Sequence, residues 1–218
     1  MDVNQTKIMR VYQRLVDVYG PRSLRPSRAP LDELIHTILS QNTSDINSGR
    51  AFGQLRAAYP HWEELLDAPD DELYALIKGA GLGRIKAARI NRTLHAVLEQ
   101  CGALDLTVLS DLPLAEAKRW LTSLDGIGPK TAACVLLFAL GRPALPVDTH
   151  VHRVSLRMGL IAPRIGADAA HSLLEAALPE AAVYSFHLDM IRHGKQVCKA
   201  QRPLCGQCPL RDLCDYYV

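Results

Sequence analysis

No apolar run in this 218-residue chain is long enough to span a bilayer. The opening MDVNQTKIMR is polar and charged where a secretory leader carries an apolar core. A membrane-spanning or exported protein is therefore not expected. Aromatic residues are scarce, at 6%. No window alternates apolar and polar residues with period two, so little or no sheet is expected. Low-complexity tracts are also missing. The net charge is only +2, which by itself says little about a polyanionic partner. What remains is an ordinary globular composition, 48% hydrophobic and 22% charged. The length suits one large domain or two small ones.

The apolar pattern is helical nearly throughout. It predicts helices over 8–19, 31–39, 45–59, 70–78, 85–100, 114–121, 129–140, 149–158, 167–177 and 181–193, with Asp45 as the N-cap of the third and Gly141 closing the seventh. Arg84, Lys86, Arg89 and Arg92 recur at helical spacing, which reads first as a solvated basic face. Residues 81–87 (GLGRIKA) echo residues 126–132 (GIGPKTA): an apolar residue between two glycines, then a lysine. The simplest reading is two helix–turn–helix corners built alike.

In the second corner, Gly126 and Gly128 let the backbone turn sharply and leave N–H groups bare, while Ile127 anchors the turn in the core. Pro129 suits the first position of a helix. Bare N–H groups at a helix start favour an anion, here a phosphodiester contacted without sequence readout. Lys130 falls near the second helical position, where the helix dipole disfavours a cation and lowers an amine's pKa, as a lysine nucleophile needs; nearby phosphates act the other way. Asp148, in PVDTHVHRV, is a natural N-cap, and a carboxylate fixed there also suits stabilising positive charge on a sugar. His150, His152, His187 and His193 diverge at helical spacing and read as structural or surface histidines.

The last 21 residues hold Cys198, Cys205, Cys208 and Cys214, spaced C-x6-C-x2-C-x5-C. Disulfides fit poorly in a chain long enough to bury a core without them. Structural zinc usually shows two C-x2-C knuckles, and here there is one. A 4Fe–4S cluster accepts uneven spacing because its irons sit at separate corners of a cube. Lys195, Lys199, Arg202 and Arg211 make the segment basic as well.

Taken in order, ILSQNTSD, IKGAGLGRIKA, LDGIGPKTA, VDTHVHRV and the cysteine pattern resemble the endonuclease III family of base-excision DNA glycosylases. The resemblance covers most of the chain and places iron–sulfur above zinc. It implies an all-α fold of two helical lobes with a DNA cleft between them. One lobe is a six-helix barrel with a helix–hairpin–helix, residues 24–142. The other is an iron–sulfur cluster domain, residues 1–23 with 143–218. It implies Lys130 as nucleophile, Asp148 as its essential partner, and the four cysteines as cluster ligands. Gly126 and Gly128 then contact phosphate, and Lys199 and Arg202 lie on a DNA-binding loop shaped by the cluster. Leu82 and Asn42 fill the gap left by a flipped nucleotide. Some relatives carry Gln where Asn42 stands, and Gln41 precedes it, so either is a candidate for the stack. Pro129 stands where a basic residue is common, removing one phosphate contact.

The implied activity is that of a bifunctional DNA glycosylase and AP lyase of base excision repair. It removes damaged, foremost oxidised, pyrimidines and cuts the strand by β-elimination through a lysine Schiff base. The alternatives are a monofunctional mismatch or pyrimidine-dimer glycosylase and a non-catalytic DNA-binding module. The expected partner is double-stranded DNA with damaged bases or abasic sites. The expected setting is a monomer in bacterial or archaeal cytoplasm, at the nucleoid.

Overall fold

The computed structural model describes residues 5–26 and 28–217; the polar start at residues 1–4 lies outside them. Among the described residues there are ten α-helices and no strands. In chain order they are α1 (Gln5–Tyr19), α2 (Pro30–Ser40), α3 (Asp45–Ala58), α4 (Asp70–Ile77), α5 (Gly83–Cys101), α6 (Leu114–Ser123), α7 (Pro129–Cys134), α8 (Thr149–Arg157), α9 (Ala167–Ala176) and α10 (Val183–Gln196). No described helix is long and apolar enough to cross a membrane. The chain forms two compact units, Pro26–Arg142 and Met1–Arg25 with Pro143–Val218.

In the Pro26–Arg142 unit, α2 is the central element. Leu31, Leu34, Ile35, Ile38 and Leu39 are all buried, and the helix packs against α3, α5 and α7. Burial of each such side chain contributes about 1.5–3 kcal/mol relative to exposure. Asp45 does not cap α3. Ser44 holds the extended backbone of an N-cap, and its hydroxyl accepts the Asn47 N–H at 3.3 Å. Asp45 is already helical and places its carboxylate in the first turn, where the helix dipole favours it.

The helix expected over 129–140 is not uniform. It is α-helical over Pro129–Cys134 and widens into a π turn over Val135–Ala139, where the Leu140 N–H reaches the Val135 carbonyl at 3.3 Å. Every residue from 131 to 137 is buried, and 138–140 are half-buried. Gly141 then turns out of the segment with φ +66°.

In the other unit, α10 packs on α8 and α1, with Phe186, Met190, Ile8, Val11 and Leu15 buried. The Arg22 guanidinium reaches the buried Asp189 carboxylate at 2.7 Å. After α10, among the described residues, short 3-10 turns follow at Cys205–Gln207, Arg211–Leu213 and Asp215–Tyr217.

Candidate functional site

The two glycine corners are built as opposites. In the hairpin between α6 and α7, Ile127 is 4% exposed, and Lys130 is half-buried with no hydrogen bond or ion pair among the described residues. In the echo between α4 and α5, Leu82 is 52% exposed and Lys86 is 1% exposed. The reason is helix position. Lys130 is the second residue of α7, and Lys86 is the fourth residue of α5. Two residues on a helix are a rotation of about 200°. That turns one lysine outward and the other into the core.

The basic stripe on α5 is solvated at Arg84 and Arg92, but Lys86 is buried and Arg89 is half-buried. Lys86 donates from Nζ to the Leu39 carbonyl at 2.7 Å and the Ala80 carbonyl at 2.8 Å. Burial, and secondly Arg89, push its pKa down to about 8, so it stays mostly protonated at neutral pH. Arg84 pairs with Asp71 and Arg92 with Asp125. Arg89 lies against the hairpin: a side chain at Gly126 would overlap its guanidinium, and Gly126 also has φ +72°. The positive φ calls for glycine there, and a Cβ would also force the Arg89 guanidinium to shift.

Arg89 also donates to Gln41 Oε1 at 2.6 Å, while Gln41 Nε2 reaches Thr131 Oγ1 at 3.4 Å. The Gln41 side chain is thus held inward from both ends. Asn42 is exposed and makes no side-chain hydrogen bond among the described residues. Asn42, Leu82 and Arg202 have φ +52°, +51° and +50°, and are the non-glycine residues with positive φ among those described. All three are exposed. Left-handed backbone costs an L-residue about 1–2 kcal/mol, and such strain clusters where function requires it.

Asp148 belongs to the other unit. It is the N-cap of α8, with Oδ1 accepting the N–H groups of His150 at 2.9 Å and Val151 at 2.8 Å. Its Oδ2 has no partner among the described residues. The capping role therefore leaves one carboxylate oxygen available. Further along the same helix, Arg153 donates to the Cys198 and Gly194 carbonyls, and Arg157 to the Lys199 and Ala200 carbonyls at 2.7 and 2.9 Å. These arginines brace residues 198–200 from within. Lys199 and Arg202 remain exposed on that loop.

Cys198, Cys205, Cys208 and Cys214 line one pocket, each thiol free and half-buried. Among the described residues no three His, Cys, Asp or Glu side chains converge as a single metal ion requires. A cube with an iron at each corner does not need such convergence. The Leu210 N–H points at the Cys208 sulfur, and those of Tyr216 and Tyr217 at the Cys214 sulfur. Burial pushes both thiols up, so a cationic centre is what stabilises them as thiolates. The donor set and its N–H cradle fit an iron–sulfur cluster.

Residues 35–180 match the HhH-GPD superfamily of base excision DNA repair proteins. The chain belongs to that superfamily. Residues 198–214 match the iron–sulfur binding domain of endonuclease III. Endonuclease III of Thermotoga maritima is 36% identical over 188 residues, covering 86% of this chain and 84% of that protein. A putative DNA repair glycosylase of Methanocaldococcus jannaschii is 30% identical over 95% of both chains. A trapped covalent endonuclease III–DNA intermediate has TM-score 0.84 and 28% identity, covering 98% of this chain and 97% of that one. This HhH-GPD member thus has the all-α helix–hairpin–helix fold and carries a C-terminal 4Fe–4S cluster.

Sequence reasoning missed His193 as a neighbour of the cluster. Tyr19 donates its hydroxyl to His193 Nδ1 at 3.1 Å, leaving Nε2 to donate to Cys208 Sγ at 3.6 Å. Burial pushes the ring down to about 4, so it is neutral. Its place five residues before Cys198, among buried positions of α10, was the available signal. Hydrogen bonds to ligating sulfur raise a cluster's potential. His193→Phe is therefore expected to lower the reduction potential measured by film voltammetry with the cluster's absorbance retained. An unchanged potential rules the bond out as a tuning element.

Proposed function

We propose that this chain is a bifunctional DNA glycosylase and AP lyase acting on damaged pyrimidines in duplex DNA, as a monomer. The single observation that carries the reading is Lys130: a partially exposed amine without a partner, beside a glycine turn whose Gly126 and Gly128 N–H groups donate to no backbone carbonyl among the described residues. In this reading Pro26–Arg142 is the six-helix barrel with the helix–hairpin–helix, and the other unit is the cluster domain. Gly126 and Gly128 offer their N–H groups to a phosphodiester, without reading sequence. The 4Fe–4S cluster, held by Cys198, Cys205, Cys208 and Cys214, supplies structure to the loop carrying Lys199 and Arg202.

The damaged nucleotide leaves the stack at a cost of a few kcal/mol, less for a lesion than for an intact pair. The Lys130 amine attacks the sugar C1′ and the base departs with the C–N bonding electrons. Loss of the amine proton and ring opening give a Schiff base. That imine acidifies a C2′ proton, and its removal expels the 3′ phosphate by β-elimination. Asp148 stabilises the cationic sugar through its free oxygen or takes up the lysine proton. Asn42 and Leu82 occupy the vacated space; Gln41, held by Arg89 and Thr131, sets the base of that loop. A panel of duplexes, each with one oxidised, hydrated, mismatched or dimerised pyrimidine, assayed with and without borohydride, tests the reading. Excision with a trapped adduct on damaged pyrimidines is expected. Excision without an adduct would make the enzyme monofunctional, and binding alone would make it a DNA-binding module.

Relief of strain separates stability from activity at Leu82. Glycine there removes left-handed strain of about 1–2 kcal/mol and adds unfolded-state entropy of about 0.5–1 kcal/mol. Leu82→Gly is expected to raise the melting temperature by about 2 °C while slowing single-turnover excision about tenfold through loss of the wedge. A variant that melts lower, or excises as fast as wild type, contradicts the assignment.

A further inference from the structure

Lys86 has no part in the chemistry above, yet its amine is buried in the core of the Pro26–Arg142 unit. Methionine would fill the same volume without an amine's desolvation cost. What methionine lacks is donors. Lys86 spends its donors on the carbonyls of two separate segments, Leu39 at the end of α2 and Ala80 before α5. Each carbonyl lies just upstream of an exposed left-handed residue: Leu39 precedes Asn42, and Ala80 precedes Leu82. The two segments also lie close together: a side chain built at Gly81 would stand 3.8 Å from the Asn42 carbonyl oxygen. Side chains on neighbouring tips of this kind, one polar and one apolar, suit entry into a base stack.

We propose that Lys86 is the positioning residue for the two tips: one ammonium, bonded to the carbonyl upstream of each, sets Asn42 and Leu82 at a fixed separation before DNA arrives. The proposal rests on the reading of both tips as wedges. The clamp acts by preorganisation. Free loops would have to be ordered on binding; loops tied to one buried nitrogen are ordered already. Arg89, one turn further along α5, bonds Gln41 and lies against the Gly126 turn, so one face of α5 reaches several loops of this unit.

The test is a double-mutant cycle on the intact holoenzyme with Lys86→Met and Leu82→Ala. The probe is a duplex carrying a tetrahydrofuran abasic analogue opposite 2-aminopurine, whose fluorescence at saturating protein reports entry of the tips. Lys86→Met is expected to abolish most of the fluorescence rise, since an ångström-scale misplacement can cost about a hundredfold. In the Leu82→Ala background it should change the signal little further, because the positioned group is gone. Effects that simply multiply would overturn the proposal, since they indicate a general loss of structure. If Lys86→Met does not fold, Lys86→Gln, whose amide keeps donor hydrogens, replaces it; if neither keeps the wild-type melting transition, Lys86 is a stability residue and the proposal falls. Borohydride trapping by the wild type on an abasic duplex is run alongside. Trapping with a multiplicative cycle removes the clamp alone. Coupling without trapping leaves the clamp standing and removes the Lys130 chemistry. A wild type that shows neither overturns both.

Discussion

Lys130→Gln will bind an abasic duplex within about threefold of wild type, yield no borohydride adduct, and cut the strand at least about a thousand times more slowly. The expectation combines two observations. Lys130 makes no hydrogen bond or ion pair among the described residues, so its removal strands no buried partner. It is half-buried on a turn whose packing is supplied by Ile127, so stability should stay within about 0.5 kcal/mol. A side chain that contributes little to folding and nothing to internal pairing is free to act on a substrate. If the adduct persists at the wild-type rate, the nucleophile lies elsewhere. Lys86 is a poor substitute, because its amine is enclosed and bonded to two carbonyls. Adduct formation is read on a denaturing gel, binding by fluorescence anisotropy at fixed salt, since affinities for DNA depend steeply on ionic strength.

Removing the cluster is expected to unfold residues 198–217 and cut DNA affinity about tenfold or more. The magnitudes require an external source of order. From Cys198 onward, the buried apolar side chains among the described residues are Leu210 and Leu213. Their burial yields about 3–6 kcal/mol together. Ordering the backbone costs about 1–2 kcal/mol for every residue. The bonds from Arg14, Arg153 and Arg157 narrow the gap without closing it. Metal ligation supplies the remainder, as it does in small metal-dependent domains. Hydrogen–deuterium exchange on protein stripped by chelator and oxidant should show fast exchange confined to this segment. The bracing carbonyls of Lys199 and Ala200 would leave Arg157, and the loop carrying Lys199 and Arg202 would lose its shape. Slow exchange in the stripped protein would refute this account.

Helix periodicity revealed most of the fold, because nearly every helix has one apolar face and its ends carry Pro, Gly or an N-cap. The cysteine segment and the glycine hairpin were legible for the same reason: chemistry there depends on local spacing. What sequence did not show were groups whose role depends on long-range packing. The Ser44 cap was hidden by an equally plausible neighbour, Asp45. The π turn at Val135–Ala139 changes the hydrogen-bond register without breaking the apolar run, so periodicity does not report it. Lys86 looked like one member of a solvated stripe, and only the fold shows its amine turned to Leu39 and Ala80. His193 reads as a structural or surface histidine; it is buried in the core, and its Nε2 reaches a ligand sulfur.

The opposed burial of the two glycine corners carries an evolutionary implication. Two helix positions separate an outward amine from an inward one. Codons inserted between Pro129 and Lys130 would swing that amine around the helix, but they would also turn every buried residue from 131 to 137 out of its seat. The direction in which Lys130 faces is therefore locked to the packing behind it, and drift in loop length at this corner is closed to evolution unless the whole helix is rebuilt.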